Sequence, residues 1–248
     1  MTELSRLDRE ILAEHFGNGT EFNEAVKRVE GGEPLAYVIG EWYFYGLTFK
    51  LNSDCLIPRP DTEHTVEAAI KRIPENGRFA DLCTGSGCIA VSVLKNRPDL
   101  KCDACDISDG ALKMAKQNAG LNGVHANFFT DDVLKAKPEK EIYDAVVSNP
   151  PYIKSSVIPT LETVQKEPMR ALDGGEDGLM FYREIVKRYK QSLKENGIFI
   201  FEIGYDQGED IRKIAEENGF ECKVTKDYGG NDRVAVLGRS TLQSQESF

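Results

Sequence analysis

The sequence predicts an α/β protein in which a mostly parallel sheet is covered by helices on both faces. From Arg78 onward, short apolar runs of strand length alternate with segments whose apolar residues have helical spacing, which is the order typical of such sheets. Glycine-rich or acidic segments follow several of the strand-like runs, such as Thr84-Gly85-Ser86-Gly87 and Asp131-Asp132, as expected where loops form a binding edge. Near the end of the chain, Gly229-Gly230-Asn231-Asp232 predicts a hairpin turn, so the last strand should run antiparallel.

The region before the sheet is expected to divide into two parts. Residues 1–31 have apolar side chains at helical spacing, interrupted by Gly17-Asn18-Gly19, and predict two short helices. Residues 32–58 include a stretch, Leu35 to Leu56, that is rich in aromatic and β-branched residues, including Tyr37-Val38-Ile39. This composition predicts a β-hairpin that links the helices to the main domain.

The main domain is predicted to span residues 59–239, with seven strands and intervening helices, and the polar tail 240–248 is predicted to be disordered. The expected strands are Arg78–Cys83, Lys101–Asp106, Val124–Phe129, Tyr143–Ser148, Ile198–Ile203, Phe220–Lys226 and Arg233–Leu237. Two helices are expected to begin at Glu63, capped by Asp61 or Thr62, and just after Gly87. Three more are expected to cover Gly110–Ala119 (capped by Ser108), Leu179–Leu193 (closed by Asn196-Gly197) and Gln207–Glu217.

Composition and charge restrict the classes of function. The net charge of -10 disfavours extended contact with a nucleic-acid backbone. The charged N-terminus lacks the apolar core of a signal peptide, and no apolar run approaches the length of a membrane span. Cys102 and Cys105 have metal-ligand spacing, but a strand would point them to opposite faces. The sequence therefore predicts a cytoplasmic protein with no metal site, and a monomer by default.

A candidate acceptor site, Ser148-Asn149-Pro150-Pro151-Tyr152, lies where a predicted strand ends. Two prolines cannot donate to a sheet ladder, and the residue before a proline is restricted to extended geometry. Asn149 should therefore be held at the carboxyl edge of the sheet, where ligands bind in open α/β folds. An amide, free carbonyl groups and a tyrosine ring would suit a planar group that carries NH2. The simpler alternative is a strand followed by a Pro-Pro turn.

A candidate cofactor site is the loop 81–87, Asp81-Leu82-Cys83-Thr84-Gly85-Ser86-Gly87. Its two glycines permit a tight turn and close approach of a ligand, but the third glycine of a dinucleotide fingerprint and a Walker lysine are missing, so a pyrophosphate is not favoured. Asp106 follows at about the spacing, roughly 20 residues, that brings an acidic group to ribose hydroxyls. Asp131-Asp132 ends the next strand, in position for an adenine edge. These acidic strand ends suit a positively charged nucleoside such as S-adenosylmethionine.

The sequence resembles the release-factor glutamine N5-methyltransferases, the PrmC/HemK family. The resemblance rests on Gly32-Glu33-Pro34-Leu35-Ala36-Tyr37-Val38-Ile39-Gly40, Leu56-Ile57-Pro58-Arg59-Pro60-Asp61-Thr62-Glu63, the loop 81–87, Asp106-Ile107-Ser108, Ser148 to Ile153, Glu167-Pro168, Asp177-Gly178-Leu179, Glu202-Ile203-Gly204 and Asp232-Arg233-Val234. Two departures stand out: Cys83 replaces the usual glycine, and the region before Gly32 is shorter than the helical domain that is associated with holding the protein substrate in that family.

The resemblance implies a Rossmann-like class I methyltransferase fold and transfer of a methyl group from S-adenosylmethionine to the glutamine of the Gly-Gly-Gln loop in peptide chain release factors. Asn149, Pro150 and Tyr152 are the implied catalytic residues, and Pro151, Arg59 and Glu63 would join them in binding substrate. Glu202 would support the pocket floor. The expected cofactor-binding residues are Asp81, Cys83, Thr84, Gly85, Ser86, Gly87, Asp106, Ile107, Asp131, Asp132 and Asn149.

Three alternative functions remain open at the level of sequence. An N6-adenine methyltransferase would use the same Asn-Pro-Pro-Tyr site on a flipped base, but it should carry a basic recognition region, which the acidic composition disfavours. A glutamine in another protein, such as a ribosomal component, is an alternative acceptor. A non-catalytic module that binds S-adenosylmethionine would not need an acceptor site.

Overall fold

The structure is a computed structural model that describes residues 4–161, 164 and 166–239. The helices are α1 (Arg6–Phe16), α2 (Thr20–Glu30), α3 (Leu35–Ile39), α4 (Glu63–Arg72), α5 (Cys88–Asn96), α6 (Asp109–Asn122), α7 (Met180–Tyr189) and α8 (Gly208–Glu217). The strands are β1 (Glu41–Phe44), β2 (Leu47–Lys50), β3 (Arg78–Leu82), β4 (Lys101–Asp106), β5 (Asn127–Thr130), β6 (Tyr143–Ser148), β7 (Leu193–Glu202), β8 (Glu221–Lys226) and β9 (Asp232–Gly238).

The main sheet has seven strands in the order β5-β4-β3-β6-β7-β9-β8. The first five of these are parallel to one another, and β9 runs antiparallel to both β7 and β8. The predicted fold class is therefore confirmed, including the antiparallel last strand. The chain proceeds outward from β3 on one side and from β6 on the other, so the strand order reverses between them. Ligands bind beside such a reversal, at the carboxyl ends of the strands.

Alternation of side chains along the central strands builds two cores, one on each face of the sheet. On one face, Phe79 and Ala145 pack with α4 and α5. On the other, Ala80 and Val146 pack with α7 and α8. All four residues are buried, so the central strands are fixed in register from both sides and hold their carboxyl ends rigidly. No helix in the described part of the chain is long and apolar enough to cross a bilayer.

The N-terminal region differs from its prediction in one respect. The two predicted helices are present as α1 and α2, but Tyr37-Val38-Ile39 lies in the short helix α3 rather than in a strand. The Pro34 carbonyl accepts the backbone N–H groups of Tyr37 and Val38, and Gly40 ends the helix with a left-handed φ of 76°. The hairpin is confined to β1 and β2.

Three further local predictions are corrected. Neither Asp61 nor Thr62 caps α4 through its side chain, because 60–62 forms a 3-10 turn in which Thr62 is already helical. Asn196-Gly197 lies inside β7 and does not close α7, which ends at Tyr189. The strand expected from Val124 begins only at Asn127. The tail 240–248, which was predicted to be disordered, lies outside the described residues.

Candidate active site

A cavity of about 330 Å³ opens at the carboxyl edge of the main sheet, beside the reversal between β3 and β6. This volume is at the lower end of the range of small-molecule sites. Eleven of the residues predicted for the site line this cavity: Arg59, Cys83, Thr84, Gly85, Ser86, Asp106, Ile107, Asp131, Asp132, Asn149 and Pro151. Asp81, Gly87, Pro150, Tyr152 and Glu63 do not border it, and their positions are described below.

The loop that follows β3 turns through three left-handed residues, Cys83 with φ 58°, Gly85 with φ 56° and Gly87 with φ 80°. The backbone N–H of Thr84 donates to the Cys105 carbonyl at 3.0 Å, which ties the loop to β4. A Cβ built on Gly85 would meet nothing within 4 Å. The Gly85 backbone therefore faces open space within the cavity, where a ligand can approach it closely.

Asp81 braces this loop from below and does not line the cavity. Its Oδ2 accepts from Thr84 Oγ1 at 2.6 Å and from the Ala90 N–H at 3.2 Å. Burial raises the pKa of this carboxyl to about 7, against the two hydrogen bonds. Gly87 is likewise a packing residue, because a Cβ at this position would lie 3.1 Å from the Cβ of Ala115. It allows α5 to approach α6.

Asp106 connects the loop to the next strand end. Its Oδ2 accepts the Gly85 N–H at 2.9 Å and its Oδ1 accepts the Ser108 N–H at 2.9 Å. Burial raises the pKa of the Asp106 carboxyl. Each oxygen of an ionised carboxylate can accept more than one hydrogen bond, so both oxygens retain capacity for hydroxyl groups in the cavity.

The pair Asp131 and Asp132 lines the cavity at the end of β5, but the two carboxylates differ in their contacts. Asp132 accepts the Leu134 N–H at 3.0 Å and forms an ion pair with Lys135 at 2.8 Å. The hydrogen bond from Lys135 lowers the pKa of Asp132. Among the described residues, no side-chain or backbone donor is bonded to the Asp131 carboxylate, so both of its oxygens keep their full hydrogen-bonding capacity.

Asn149 is half-buried at the end of β6 and lines the cavity. Its Nδ2 donates to Thr62 Oγ1 at 3.3 Å. Pro150 is buried, and its carbonyl has no hydrogen-bond donor within the part of the chain that the structure describes. The sequence prediction that two prolines would hold Asn149 at the sheet edge is consistent with this geometry.

Tyr152 lies behind the cavity rather than beside it. Its backbone carbonyl accepts Gln207 Nε2 at 3.1 Å. Burial of the Tyr152 ring raises the pKa of its phenol, and the charge of the nearby Glu202 raises this pKa further. Gln207 Nε2 also donates to the Gly178 carbonyl at 3.1 Å, and Gln207 Oε1 accepts the Gly204 N–H at 2.8 Å. One buried amide therefore joins three loops at the rim.

Arg59 and Glu63 have different roles in the structure. Arg59 lines the cavity and forms an ion pair with Glu167. Glu167 is buried and also accepts the Ile57 N–H at 3.1 Å, so the pair fastens the 167–171 segment over the cavity. Glu63 instead accepts the Tyr45 N–H at 2.9 Å and holds the hairpin turn.

Several residues that line the cavity were not predicted for the site, among them Thr62, Arg170 and Phe181. Thr62 stood within a block quoted for the family resemblance, but its contact with Asn149 joins residues 87 positions apart, and no spacing in the sequence indicates it. Across residues 4–161, 164 and 166–239, no three His, Cys, Asp or Glu side chains are grouped as a metal site.

The sheet topology and the site at its carboxyl edge define a class I S-adenosylmethionine-dependent methyltransferase fold. The family model "Methyltransferase small domain" matches residues 63–166. The release factor glutamine methyltransferase of Thermodesulfovibrio yellowstonii is 42% identical over 216 residues, which cover 84% of this chain and 77% of that protein. The corresponding Aquifex aeolicus protein is 38% identical over 222 residues, with 88% and 79% covered. The chain belongs to the release factor glutamine methyltransferase family.

A solved structure shares the fold at low sequence identity. The M. jannaschii protein TYW2, in complex with AdoMet, has a TM-score of 0.52 and 17% identity, and the match covers 80% of this chain and 84% of that one.

Proposed function

We propose that this enzyme transfers a methyl group from S-adenosylmethionine to the side-chain amide nitrogen of the glutamine in the Gly-Gly-Gln loop of peptide chain release factors. The observation that supports this proposal is the orientation of the Asn149 amide. Its Nδ2 is bonded to Thr62, so its Oδ1 is the atom free to accept a hydrogen bond. The NH2 group of the substrate glutamine has two N–H donors, and Asn149 Oδ1 can accept one of them.

The residues present fit S-adenosylmethionine. The open backbone at Gly85 would accommodate the methionine part, both Asp106 oxygens would accept ribose hydroxyls, and the free Asp131 carboxylate would accept the adenine amino group. The aspartates around the cavity also suit a cationic ligand. When bound, the cofactor supplies a methyl group that is activated by its attachment to a sulfonium.

An amide nitrogen is a weak nucleophile because its lone pair is delocalised into the carbonyl. Asn149 Oδ1 and the Pro150 carbonyl would each accept one N–H of the substrate amide, and so fix the direction in which the lone pair points. Both acceptors lie on a backbone that the two prolines and the Gln207 contact with Tyr152 make rigid. Such orientation and fixed dipoles are among the largest contributions to catalysis. Tyr152 would support this pocket from behind.

The test compares wild type with Asn149→Ala in methyl transfer from labelled S-adenosylmethionine to a purified release factor. We expect a loss of at least about 100-fold in kcat, the size seen when one preorganised hydrogen-bonding group is removed. A release factor with Asn in place of the Gly-Gly-Gln glutamine should accept no label. Transfer by Asn149→Ala near the wild-type rate, or preferential labelling of DNA, would overturn the proposal.

Release factors act in translation, so we place this activity in the cytoplasm. The division of the chain at residues 31, 58 and 239 and the monomeric state stay predictions.

A further inference from the structure

Two buried side chains lie beneath the amide of Asn149. Thr62 and Glu202 are each 1% exposed, and they come from the turn before α4 and the end of β7. The Thr62 hydroxyl makes no cap bond to α4, although it is at the position where threonine commonly does so. It accepts Asn149 Nδ2 at 3.3 Å instead. The hydroxyl is therefore committed to the site and not to the helix.

The direction of this hydrogen bond has a consequence for the next one. A hydroxyl that accepts from Asn149 still has one proton to donate. The buried Glu202 carboxyl is near enough to the Thr62 and Tyr152 hydroxyls for both to lower its pKa, and its Oε2 has no hydrogen-bond partner among the residues described. Glu202 is therefore the acceptor available to the Thr62 hydroxyl proton, and a bond between them would make every donor from Asn149 to Thr62 point toward the carboxylate.

We propose that Thr62 and Glu202 are positioning residues that fix which end of the Asn149 amide faces the substrate. The inference rests on the proposed function and deepens it. The two ends of an asparagine amide have nearly the same shape, so packing alone does not choose between them. The reversed amide would present NH2 to the NH2 of the glutamine, and no hydrogen bond would form.

The charge state of Glu202 decides the direction of the chain. The charged and titratable groups around it are Arg233 on β9, Asp61 in the 3-10 turn, Tyr152, Tyr182 on α7 and Cys88 on α5. Burial raises the pKa of Glu202 to about 7, and hydrogen bonds from Thr62 and the charge of Arg233 oppose the shift. A protonated Glu202 can donate to Thr62. The Thr62 proton is then free to turn toward Asn149, which favours the reversed amide.

The first experiment measures kcat and KM for a release factor across pH 5.5–8.5 at saturating S-adenosylmethionine. Thr62→Val removes the hydroxyl and retains the shape, and we expect kcat to fall about 10- to 100-fold, as for a misplaced reacting group. Thr62→Ser should restore kcat to within about 3-fold, since it keeps the hydroxyl. Thr65→Val is the matched control, because Thr65 is also buried in α4 and its Oγ1 has no partner among the described residues; its kcat should equal that of wild type.

Glu202→Gln tests the titrating group. Wild-type kcat should fall as the pH decreases through about 7, and Glu202→Gln should lack this acidic limb. The inference would be overturned if Thr62→Val had the same kcat as wild type, or if the pH profile of kcat in Glu202→Gln kept the acidic limb of wild type.

A second readout does not depend on the substrate. The side-chain NH2 signals of Asn149, assigned by their loss in Asn149→Asp, can be followed by 15N NMR in the free protein. They should shift with the ionisation of Glu202 in wild type and remain constant in Thr62→Val and in Glu202→Gln. A shift with no methylation of a release factor would support the inference and refute the proposed function. Methylation with no shift would do the opposite.

Discussion

Asp106 offers a quantitative test of how the site holds its cofactor. In Asp106→Ala, the loop loses the acceptor for the Gly85 N–H, and under the proposed function the cofactor would also lose the acceptor for two ribose hydroxyls. A hydrogen bond to a charged group contributes about 1.5–3 kcal/mol. Taking about 1.5 kcal/mol for each ribose hydroxyl gives about 3 kcal/mol, and hence roughly a 150-fold increase in Kd. Asp106→Asn retains one acceptor oxygen and should lose about half of this free energy, or roughly 10-fold in Kd.

The assay is isothermal titration calorimetry with S-adenosylhomocysteine, which binds without reacting. Asp109→Asn serves as the control: Asp109 lies three residues further along, accepts the Thr130 hydroxyl at 2.6 Å and does not line the cavity. Its Kd should stay within about 3-fold of wild type, a change below about 0.7 kcal/mol. If Asp106→Ala binds within about 5-fold of wild type, less than about 1 kcal/mol has been lost and Asp106 does not hold the ribose.

Three further predictions concern stability. Cys83 has a left-handed φ of 58°, so Cys83→Val should lower the free energy of unfolding by at least about 2 kcal/mol and Cys83→Gly by less than about 1 kcal/mol; equal urea midpoints would contradict this reasoning. Gly178→Ala should destabilise more than Gly123→Ala, by about 1–3 kcal/mol in the same assay. Both residues have positive φ, but only at Gly178 would an added Cβ press against the Tyr152 carbonyl. Equal decreases in the free energy of unfolding for the two variants would refute this contact. Burial favours the protonated form of Asp81, with a pKa near 7, so wild-type stability should fall between about pH 4 and pH 7. The stability advantage of Asp81→Asn should therefore grow over that interval by up to about 4 kcal/mol, and parallel melting curves against pH would disprove it.

The parts of the fold that sequence reasoning predicted well are those with a strong local signal. Lys101–Asp106 and Tyr143–Ser148 are strands with the predicted bounds. The interior residues of both strands are mostly buried, and strands covered on both faces carry a recognisable pattern of side chains. The Pro-Pro pair predicted where Asn149 would lie for the same kind of reason, since its restriction on the backbone is local.

The predictions that the structure corrects are those in which contacts between residues far apart in the sequence decide the local structure. Tyr37-Val38-Ile39 has a strand-like composition, but the segment between Pro34 and Gly40 is too short for intrinsic propensity to determine its secondary structure. Burial against the 51–57 segment favours the helix instead. Glu63 accepts the Tyr45 N–H at the hairpin turn, a contact that the sequence did not indicate, and its role in binding substrate stays a prediction. These outcomes depend on residues brought together by the completed fold, which spacing along the chain does not encode.

The placement of β9 has a consequence for how the enzyme matures. This strand follows all the other described strands along the chain, yet it inserts between β7 and β8. It carries Arg233, which pairs with Asp61 at 3.1 Å and whose charge lowers the pKa of Glu202. Domains fold progressively as they leave the ribosome, but here the interior of the sheet stays incomplete until the final strand emerges. A nascent chain released before residue 233 would lack both Arg233 and the strand that joins β7 to β8, so premature products should have no activity.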